Sequence, residues 1–315
     1  MKLAPIILFV YNRPWHTQQT VEALKKNELA KDSELFIFSD LEKNSDAELK
    51  VKEVRDYIKA IDGFKMVKII KRDSNFGLAK SVISGVTEII NEYGKVIIME
   101  DDLLTSETFL DYMNNALENF KDDRKIFGIT GYNHPPKLMN IPGDYKADIY
   151  FNPRAGSWSW ATWKDRWDSA DWEVADYDNF KNDKKARELF NSGGSDMSRM
   201  LDDQMNGKID SWAIRWCFTV FKNDALYVYP IKSYVDNIGL DGTGVHCGKV
   251  EDGKYENRIL NRKKKLSLPE SVSMNKEIMD NFRNIYRVNA FMEYILDLAR
   301  ETLLYKYYEK IINNN

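Results

Sequence analysis

The stretch Lys95-Val-Ile-Ile-Met-Glu100-Asp101-Asp102-Leu103-Leu104 decides how this 315-residue chain folds. Its apolar run, Val96 to Met99, has the length and composition of a buried parallel strand, and the run ends in three consecutive carboxylates. Burying an unpaired carboxylate is costly, so three of them at a strand end require a cation or solvent. Because open α/β sheets bind ligands at the carboxyl ends of their strands, this segment predicts a divalent-metal site at the sheet edge.

The same acidic residues have a structural alternative. The sequence Leu103-Leu104-Thr105-Ser106-Glu107 resembles the start of a helix, and an aspartate in front of it could cap the free N–H groups. The motif alone therefore leaves two roles open for Asp102, metal ligand or helix cap.

Composition places limits on the class of protein. Charged residues make up 30% of the chain and aromatic residues 13%, which is typical of a soluble folded protein. The net charge of −3 lacks the basic excess of a nucleic-acid binder, so we expect no nucleic-acid partner. Two cysteines, Cys217 and Cys247, are too few for a disulfide framework. With no signal-peptide pattern and no run of roughly 20 apolar residues, we expect a cytoplasmic protein.

Strand-like and helix-like segments alternate along the first 130 residues. Such alternation is typical of a mostly parallel sheet with helices on both faces, so the predicted fold class is α/β. The predicted strands are Ile6–Val10, Leu35–Ser39, Met66–Ile70, Val96–Met99 and Ile126–Thr130, and the predicted helices are Thr17–Lys26, Ala47–Ala60, Leu78–Glu92 and Ser106–Phe120.

The pattern changes after residue 131. Aromatic residues become dense between Tyr150 and Trp172, and a charged, helical segment broken by Gly193-Gly194 follows. A glycine-rich loop at Gly239–Gly248 precedes a tail whose apolar residues recur at helical spacing. The other predicted elements are a segment of helix at Lys181–Leu201, a helix at Trp212–Phe221, a strand at Ala225–Val228 and one or two helices within Asn275–Ile312.

Polar side chains follow each of the first four parallel strands, and the fold should bring them into one crevice. Asp40 and Asn75 could hydrogen-bond a base and a ribose, whereas Arg13 and a metal on Asp102 could neutralise a diphosphate. The chain has neither a Walker-type loop nor a Gly-x-Gly-x-x-Gly loop, which disfavours a P-loop NTPase and an ordinary dinucleotide enzyme.

The order of these motifs resembles that of the GT-A nucleotide-sugar glycosyltransferases, and among them the N-acetylglucosaminyltransferase I type. The resemblance spans about residues 5–250. The matching positions are Tyr11-Asn12-Arg13, Asp40, Asn75, Glu100-Asp101-Asp102-Leu103, Phe151 through Gly156-Ser157-Trp158, Pro230-Ile231-Lys232-Ser233, Gly239 and His246.

The resemblance implies a GT-A-like catalytic domain over residues 1–260, with a nucleotide-binding half (1–130) and an acceptor-binding half (131–260). A C-terminal helical extension (261–315) would follow. Mn²⁺ or Mg²⁺ would bind Asp102 and His246. The implied donor-binding residues are Tyr11, Arg13, Asp40, Asn75, Glu100, Asp101 and Trp158.

The activity that the resemblance implies is transfer of a sugar, with inversion, from a nucleotide-sugar such as a UDP-sugar to a glycan hydroxyl. The acceptor would be a glycan or a lipid-linked saccharide in bacterial surface polysaccharide synthesis. The chain departs from the family near the catalytic base. In the family, two adjacent acidic residues precede a tryptophan at this point. This chain has Asp210-Ser211-Trp212 there, and Asp165–Lys208 has no clear counterpart. Asp210 is our predicted base, with Asp203 as the alternative.

Two other functions remain open at this stage. A sugar nucleotidyltransferase can share the sheet and its acidic metal site, although Asn12-Arg13-Pro14 supplies no phosphate-rich signature loop. A non-catalytic glycan-binding protein could also keep the fold. In the tail, Lys306, Tyr307, Tyr308 and Lys310 permit peripheral contact with the inner face of a membrane, with plain packing as the alternative.

Overall fold

A computed structural model describes residues 2–243, 253–257 and 259–287 of the chain. Strands and helices alternate through the first part as the sequence predicts, and the ends of these elements differ from the predicted ends by a few residues. The strands are β1 Ile6–Val10, β2 Glu34–Ser39, β3 Met66–Lys71, β4 Lys95–Glu100, β5 Leu103–Thr105, β6 Ile126–Thr130, β7 Ile149–Asn152, β8 Trp160–Trp163, β9 Leu226–Pro230 and β10 Val235–Asn237. The helices are α1 Pro14–Lys25, α2 Ser45–Ile58, α3 Leu78–Tyr93, α4 Phe109–Phe120, α5 Lys164–Trp167, α6 Tyr177–Phe180, α7 Lys184–Phe190, α8 Met197–Met205, α9 Trp212–Lys222 and α10 Lys276–Ile285.

Eight of the described strands form one mixed sheet in the order β3-β2-β1-β4-β8-β6-β9-β7. The first four strands run parallel, which confirms the predicted α/β class. Strand β8 is antiparallel to both β4 and β6, so it joins the two parts of the chain within a single sheet. Strands β5 and β10 form a separate antiparallel pair.

Strand β1 shows why both faces of the sheet are covered. Its side chains alternate between two apolar layers, with Ile6 and Leu8 in one and Ile7 and Phe9 in the other. Helices α1, α2 and α4 cover the first layer, and helices α3 and α9 cover the second. A strand buried on both faces needs a continuous apolar run, and β1 and the apolar part of β4 have one.

The segment after the acidic triplet differs from the prediction. The predicted helix from Ser106 to Phe120 begins only at Phe109, and Leu103–Thr105 forms β5, which pairs with β10. Leu103 and Thr105 point inward on alternate positions, as a strand requires, and Leu103 N–H donates to Thr20 Oγ1 at 3.1 Å. The alternative role of Asp102 as a helix cap is therefore wrong, because no helix begins beside it.

The segment that joins β8 to α9 forms a small helical layer. The predicted break at Gly193-Gly194 is present, where a short 3₁₀ turn and Gly194 (φ 145°) separate α7 from α8. Phe180, Phe190 and Leu201 pack against Phe218 of α9. The layer thus adds its own apolar cluster to the outer side of α9.

The described part of the C-terminal extension contains one helix. Helix α10 ends at Ile285, within the range where the tail was predicted to be helical, and the tail beyond residue 287 lies outside the described residues. Phe282 of α10 is buried against the sheet's second apolar layer. No helix in the described ranges is long and apolar enough to cross a membrane.

Candidate functional site

The pairing of β4 with β8 brings the acidic triplet close to the aromatic turn. Ile98 of β4 and Thr130 of β6 both pair with Trp160 of β8. Glu100 follows Ile98 by two residues, and Trp158 precedes Trp160 by two residues in the antiparallel neighbour. The two side chains predicted to bind the donor therefore lie at the same edge of the sheet, at the carboxyl ends of β1, β4 and β6.

Arg13 lies at the centre of the acidic cluster. It follows β1 and precedes α1, and its Nη1 donates a hydrogen bond to Asp102 Oδ2 at 2.7 Å. The same nitrogen lies 3.8 Å from Asp101 Oδ1, and Nη2 lies 3.6 Å from Asp241 Oδ1. The side chains of Arg13 and Asp102 are 12% and 13% exposed, so solvent screens their pairing only weakly.

Burial keeps part of the triplet protonated near neutral pH. Desolvation first, and then repulsion from Asp102 and Asp101, raises the pKa of Glu100 from 4.5 to about 8. Desolvation and repulsion from Asp102 raise the pKa of Asp101 from 3.8 to about 7, although Arg13 and the Tyr11 N–H oppose the rise. One arginine is therefore too little positive charge for three carboxylates, and the cluster is short of a cation.

The donor set of the cluster fits a hard divalent cation. Asp102 Oδ1 is buried and has no hydrogen-bond partner in the described structure, and carboxylate oxygens are the ligands that Mg²⁺ and Mn²⁺ prefer. Within the described ranges, however, no three side chains of His, Cys, Asp or Glu are placed to hold a metal together. A metal at Asp102 would therefore need further ligands from a bound substrate or water.

Proton release should accompany cation binding, because a cation favours the charged form of each carboxyl. Mn²⁺ titrations at pH 7 in two buffers of different ionisation enthalpy should show net release of protons, and Glu100→Gln and Asp101→Asn should each reduce it.

The raised pKa values of Glu100 and Asp101 also mean that the folded state holds more protons than the unfolded state between about pH 4 and 8. Their contribution to the free energy of unfolding therefore falls as the pH rises through this range, and melting curves should show a shallower fall for Glu100→Gln. Mn²⁺ binding without proton release would contradict the raised pKa values.

Gly239 makes the close packing around Asp102 possible. It follows β10, and its N–H donates to Asn237 Oδ1 at 2.7 Å, while Ile238 N–H donates to Asp102 O at 2.9 Å. A Cβ at position 239 would overlap Asp102 Oδ2 and would lie 2.9 Å from Arg13 Nη1. Only glycine allows the loop to approach the carboxylate this closely.

Gly239→Ala should therefore displace Asp102 and the Arg13 side chain. We expect the substitution to lower the free energy of unfolding by about 1–3 kcal/mol, as overpacking does, and to weaken any ligand that binds at Asp102. Chemical denaturation and calorimetry would measure the two effects. Gly143→Ala is the matched control, because nothing lies within 4 Å of a Cβ at that position. Equal stability of the two alanine variants would show that the loop moves aside without cost.

Three of the predicted donor-binding residues join the strand ends to one another. Asp40 accepts hydrogen bonds from the N–H groups of Phe76 and Gly77 at 2.9 and 3.0 Å, at the start of α3. Asn75 Nδ2 donates to Leu41 O at 2.6 Å, and Tyr11 Oη accepts from Lys43 N–H at 3.0 Å. These contacts fix the loops after β1, β2 and β3 in one place, and contact with a nucleotide stays a prediction for all three residues.

A cavity of about 200 Å³ opens at the same edge of the sheet. Its wall is rich in aromatic rings, and Trp158 packs edge-on to Tyr132 at a centroid distance of 4.5 Å. Trp158 is partly exposed, whereas Trp160 and Trp216 are buried in the core. The other aromatic lining residues are Tyr229 and Tyr286.

Arg154 and His134 line the cavity, and neither was singled out from the sequence. Arg154 forms a bidentate pair with Asp196 at 2.8 and 2.9 Å and stacks on Tyr286 at 3.9 Å, so its charge is already compensated. Burial, followed by repulsion from Arg154, lowers the pKa of His134 to about 3, and its Nε2 lies 3.0 Å from Tyr286 Oη. The cavity is therefore polar without a free charge from either residue.

The two candidate bases lie on elements that border the cavity. Asp210 precedes α9, whose Ala213 and Ile214 line the cavity; its side chain is 67% exposed and pairs with Arg215 at 3.3 Å. Ser211, not Asp210, caps α9 through a hydrogen bond from Ile214 N–H. Asp203 belongs to α8 and pairs with Lys208 at 3.1 Å.

No pattern in the sequence predicted a role for a further carboxylate, that of Asp236. Asp236 of β10 accepts a hydrogen bond from Asn257 N–H at 2.8 Å, and burial raises its pKa to about 6. His246, the second predicted metal ligand, lies outside the described residues, and so does the part of the glycine-rich loop after residue 243.

Comparisons with known proteins give similarities of low identity. No family model matches the sequence, and no curated protein matches it either. Among solved structures, the chain is similar to a mannosyltransferase, PcManGT from Pyrobaculum calidifontis, in complex with GDP-Man and Mn²⁺. The identity is 12% and the TM-score 0.37, over 51% of this chain and 44% of that one.

The chain is also similar to S. aureus TarS 1–349, with 13% identity and a TM-score of 0.39 over 75% of this chain and 60% of that one. For the complex of TarS 1–349 with UDP-GlcNAc, the identity is 12% and the TM-score 0.39, over 75% of this chain and 58% of that one. The chain thus spans less than two thirds of the length of each of these three structures. TM-scores of this size do not establish a common fold, so the function has to be inferred from the residues of the site.

Proposed function

We propose that this chain is a glycosyltransferase that uses a nucleotide-sugar donor. The observation that carries the proposal is the convergence of two unlike features at one sheet edge. A cation-deficient acidic cluster with Arg13 suits a metal-bound diphosphate, and an aromatic cavity without free charge suits a sugar ring. The fold follows from the structure, whereas the reaction is inferred from this juxtaposition.

The donor site comprises the nucleotide-binding half, residues 1–130. Asp102 would hold Mn²⁺ or Mg²⁺ together with the diphosphate, and the ion would stabilise the charge of the leaving group. Glu100 ends β4 and Asp101 follows it beside Asp102, and the loops joined by Asp40, Asn75 and Tyr11 would contact the nucleotide. Sequence resemblance favours a UDP-sugar, and we keep His246 as a proposed second ligand.

The proposed acceptor site comprises residues 131–260, and Tyr286, which follows α10 in the extension, lines the cavity there. Trp158, although it lies in this half, is the residue that would offer a ring face or edge to the C–H surface of the donor sugar. Asp210, or Asp203 in its place, would remove the proton of the acceptor hydroxyl, while Arg13 stabilises the diphosphate on the opposite side of the donor sugar. This arrangement amounts to a single displacement with inversion. A glycan or a lipid-linked saccharide in polysaccharide synthesis is the proposed acceptor, and a lipid-linked one would bring the chain to the inner face of the membrane.

Calorimetry and product analysis test the proposal together. We expect a nucleoside diphosphate, and UDP first, to bind in the presence of Mn²⁺ and to bind much less well in excess chelator. Incubation of the matching nucleotide-sugar with saccharide acceptors should release the nucleoside diphosphate. Release of pyrophosphate would instead identify a nucleotidyltransferase. Binding of oligosaccharide without metal-dependent nucleotide binding would identify a glycan-binding protein.

A further inference from the structure

The start of α1, next to the acidic triplet, carries N–H groups that the helix itself does not use. Pro14 has no N–H, and the first intrahelical bond runs from Thr17 N–H to Arg13 O at 2.9 Å. The N–H groups of Trp15 and His16 therefore have no acceptor within the helix. Arg13, the residue before the helix, provides no side-chain cap. A helix N-terminus of this kind carries partial positive charge and attracts anions.

Buried side-chain donors point to the same place. Arg13 Nε, Arg13 Nη2 and His16 Nε2 are buried and make no hydrogen bond within the described ranges. The His16 side chain is only 8% exposed. A buried polar nitrogen without a hydrogen-bond partner is costly, so three of them in one spot indicate that a partner is missing.

Asp241 lies where that acceptor would be. Its Oδ1 is 3.6 Å from Arg13 Nη2 and its Oδ2 is 3.1 Å from His16 Nε2, although neither contact has the geometry of a hydrogen bond. The side chain is 42% exposed. Its own turn holds it, because Thr243 donates to Oδ1 from N–H at 3.0 Å and from Oγ1 at 2.7 Å. Asp241 can therefore leave Arg13 and His16 without breaking a hydrogen bond to either.

We propose that His16 binds a phosphate of the donor together with Arg13, and that Asp241 occupies this phosphate position when no donor is bound. This inference rests on the proposed function, since it identifies the anion as the diphosphate of a nucleotide-sugar. A carboxylate offers two anionic oxygens, as a terminal phosphate does, and neutral imidazole with its proton on Nε2 is a sufficient donor. His16 is then a positioning residue for the leaving group.

The arrangement makes opposite predictions for the two side chains. Removal of His16 takes away a donor to the phosphate, so diphosphate binding should weaken. Removal of the charge on Asp241 takes away a competitor for the same donors, so diphosphate binding should become tighter. If Asp241 instead held the metal, the loss of its charge would weaken binding. The sign of the Asp241 effect therefore separates the two roles.

Calorimetry on the full-length chain tests this with inorganic pyrophosphate, UDP and UMP, each in the presence of Mn²⁺. We expect His16→Ala to weaken pyrophosphate and UDP by about tenfold and UMP much less, and His16→Gln to recover part of the loss because its amide still donates. We expect Asp241→Asn to strengthen pyrophosphate and UDP several-fold. Glu22→Gln, on the exposed side of α1, is the matched control and should change nothing.

The outcomes separate this inference from the proposed function. Unchanged affinities in His16→Ala, or weaker binding in Asp241→Asn, would overturn the phosphate role of His16 or the position assigned to Asp241. Pyrophosphate binding that depends on His16, with no binding of any nucleoside diphosphate, would support the anion site and contradict the glycosyltransferase. If the wild type binds neither pyrophosphate nor any nucleoside diphosphate, both proposals are wrong. Because Asp241 is partly exposed, Asp241→Asn should fold even if a substitution of buried His16 does not.

Discussion

Asp102→Ala should abolish the increase in nucleoside diphosphate affinity that Mn²⁺ produces, a loss of about 100-fold or more. Asp102 is the member of the triplet with a buried, unpartnered oxygen, so it is the side chain best placed to hold a cation. Without the cation, the diphosphate would lose a partner charge in a poorly screened site, where an uncompensated anion is costly. Removing one partner of a buried charge pair costs about 2–5 kcal/mol, which corresponds to this loss of affinity.

The experiment has to separate the metal from Arg13. Loss of Asp102 frees the Arg13 guanidinium, whose Nη1 donates to Asp102 Oδ2 at 2.7 Å in the wild type, and the freed side chain can bind a diphosphate without any metal. Affinities should therefore be measured for wild type and variant with Mn²⁺ and with excess chelator, and only the difference between the two conditions should vanish. Glu92→Ala, an exposed acidic position near the end of α3, is the control. A Mn²⁺-dependent gain that survives in Asp102→Ala would remove Asp102 from the metal site.

Asp210→Asn should reduce turnover by about 100-fold or more while the affinity for donor and metal stays near that of the wild type. A general base contributes to the rate and not to donor binding, so kcat should fall and the donor dissociation constant should not change. The fold should tolerate the change. Asparagine keeps the shape, and Arg215 still donates to the carbonyls of Ser211 and Trp172 at 3.2 Å each.

The companion variants decide which carboxylate is the base. Asp203→Asn is the direct rival, and Asp178→Asn is the control because its side chain is 86% exposed. Near-normal turnover of Asp210→Asn together with an inactive Asp203→Asn that still binds donor would assign the base to Asp203. If both variants are active, the base lies elsewhere, and Asp236, whose pKa burial raises to about 6, would be the next carboxylate to replace.

The sequence by itself determined the α/β half of the fold. Strands β1, β2 and β4 are buried on both faces, so each needs a continuous apolar run, and such a run is visible without knowledge of its neighbours, whereas β3 lies at the sheet edge and is only partly buried. The helices between them show helical spacing of apolar residues for the same reason. Because parallel strands end at the same edge, the order of Arg13, Asp40, Asn75 and the acidic triplet was enough to predict that they converge.

Only the tertiary structure decided the features that depend on distant partners. Leu103–Thr105 resembles a helix start locally, but it forms β5 because β10, more than a hundred residues later, supplies the backbone hydrogen bonds. The cavity combines Tyr132, Arg154 and Tyr286, which no local pattern connects. The proposed role of His16 depends on its contact with Asp241, and the need for glycine at position 239 depends on its contact with Asp102. Local periodicity reports which face of an element is buried, whereas a site is defined by the distances between elements, and those distances arise only when the chain packs.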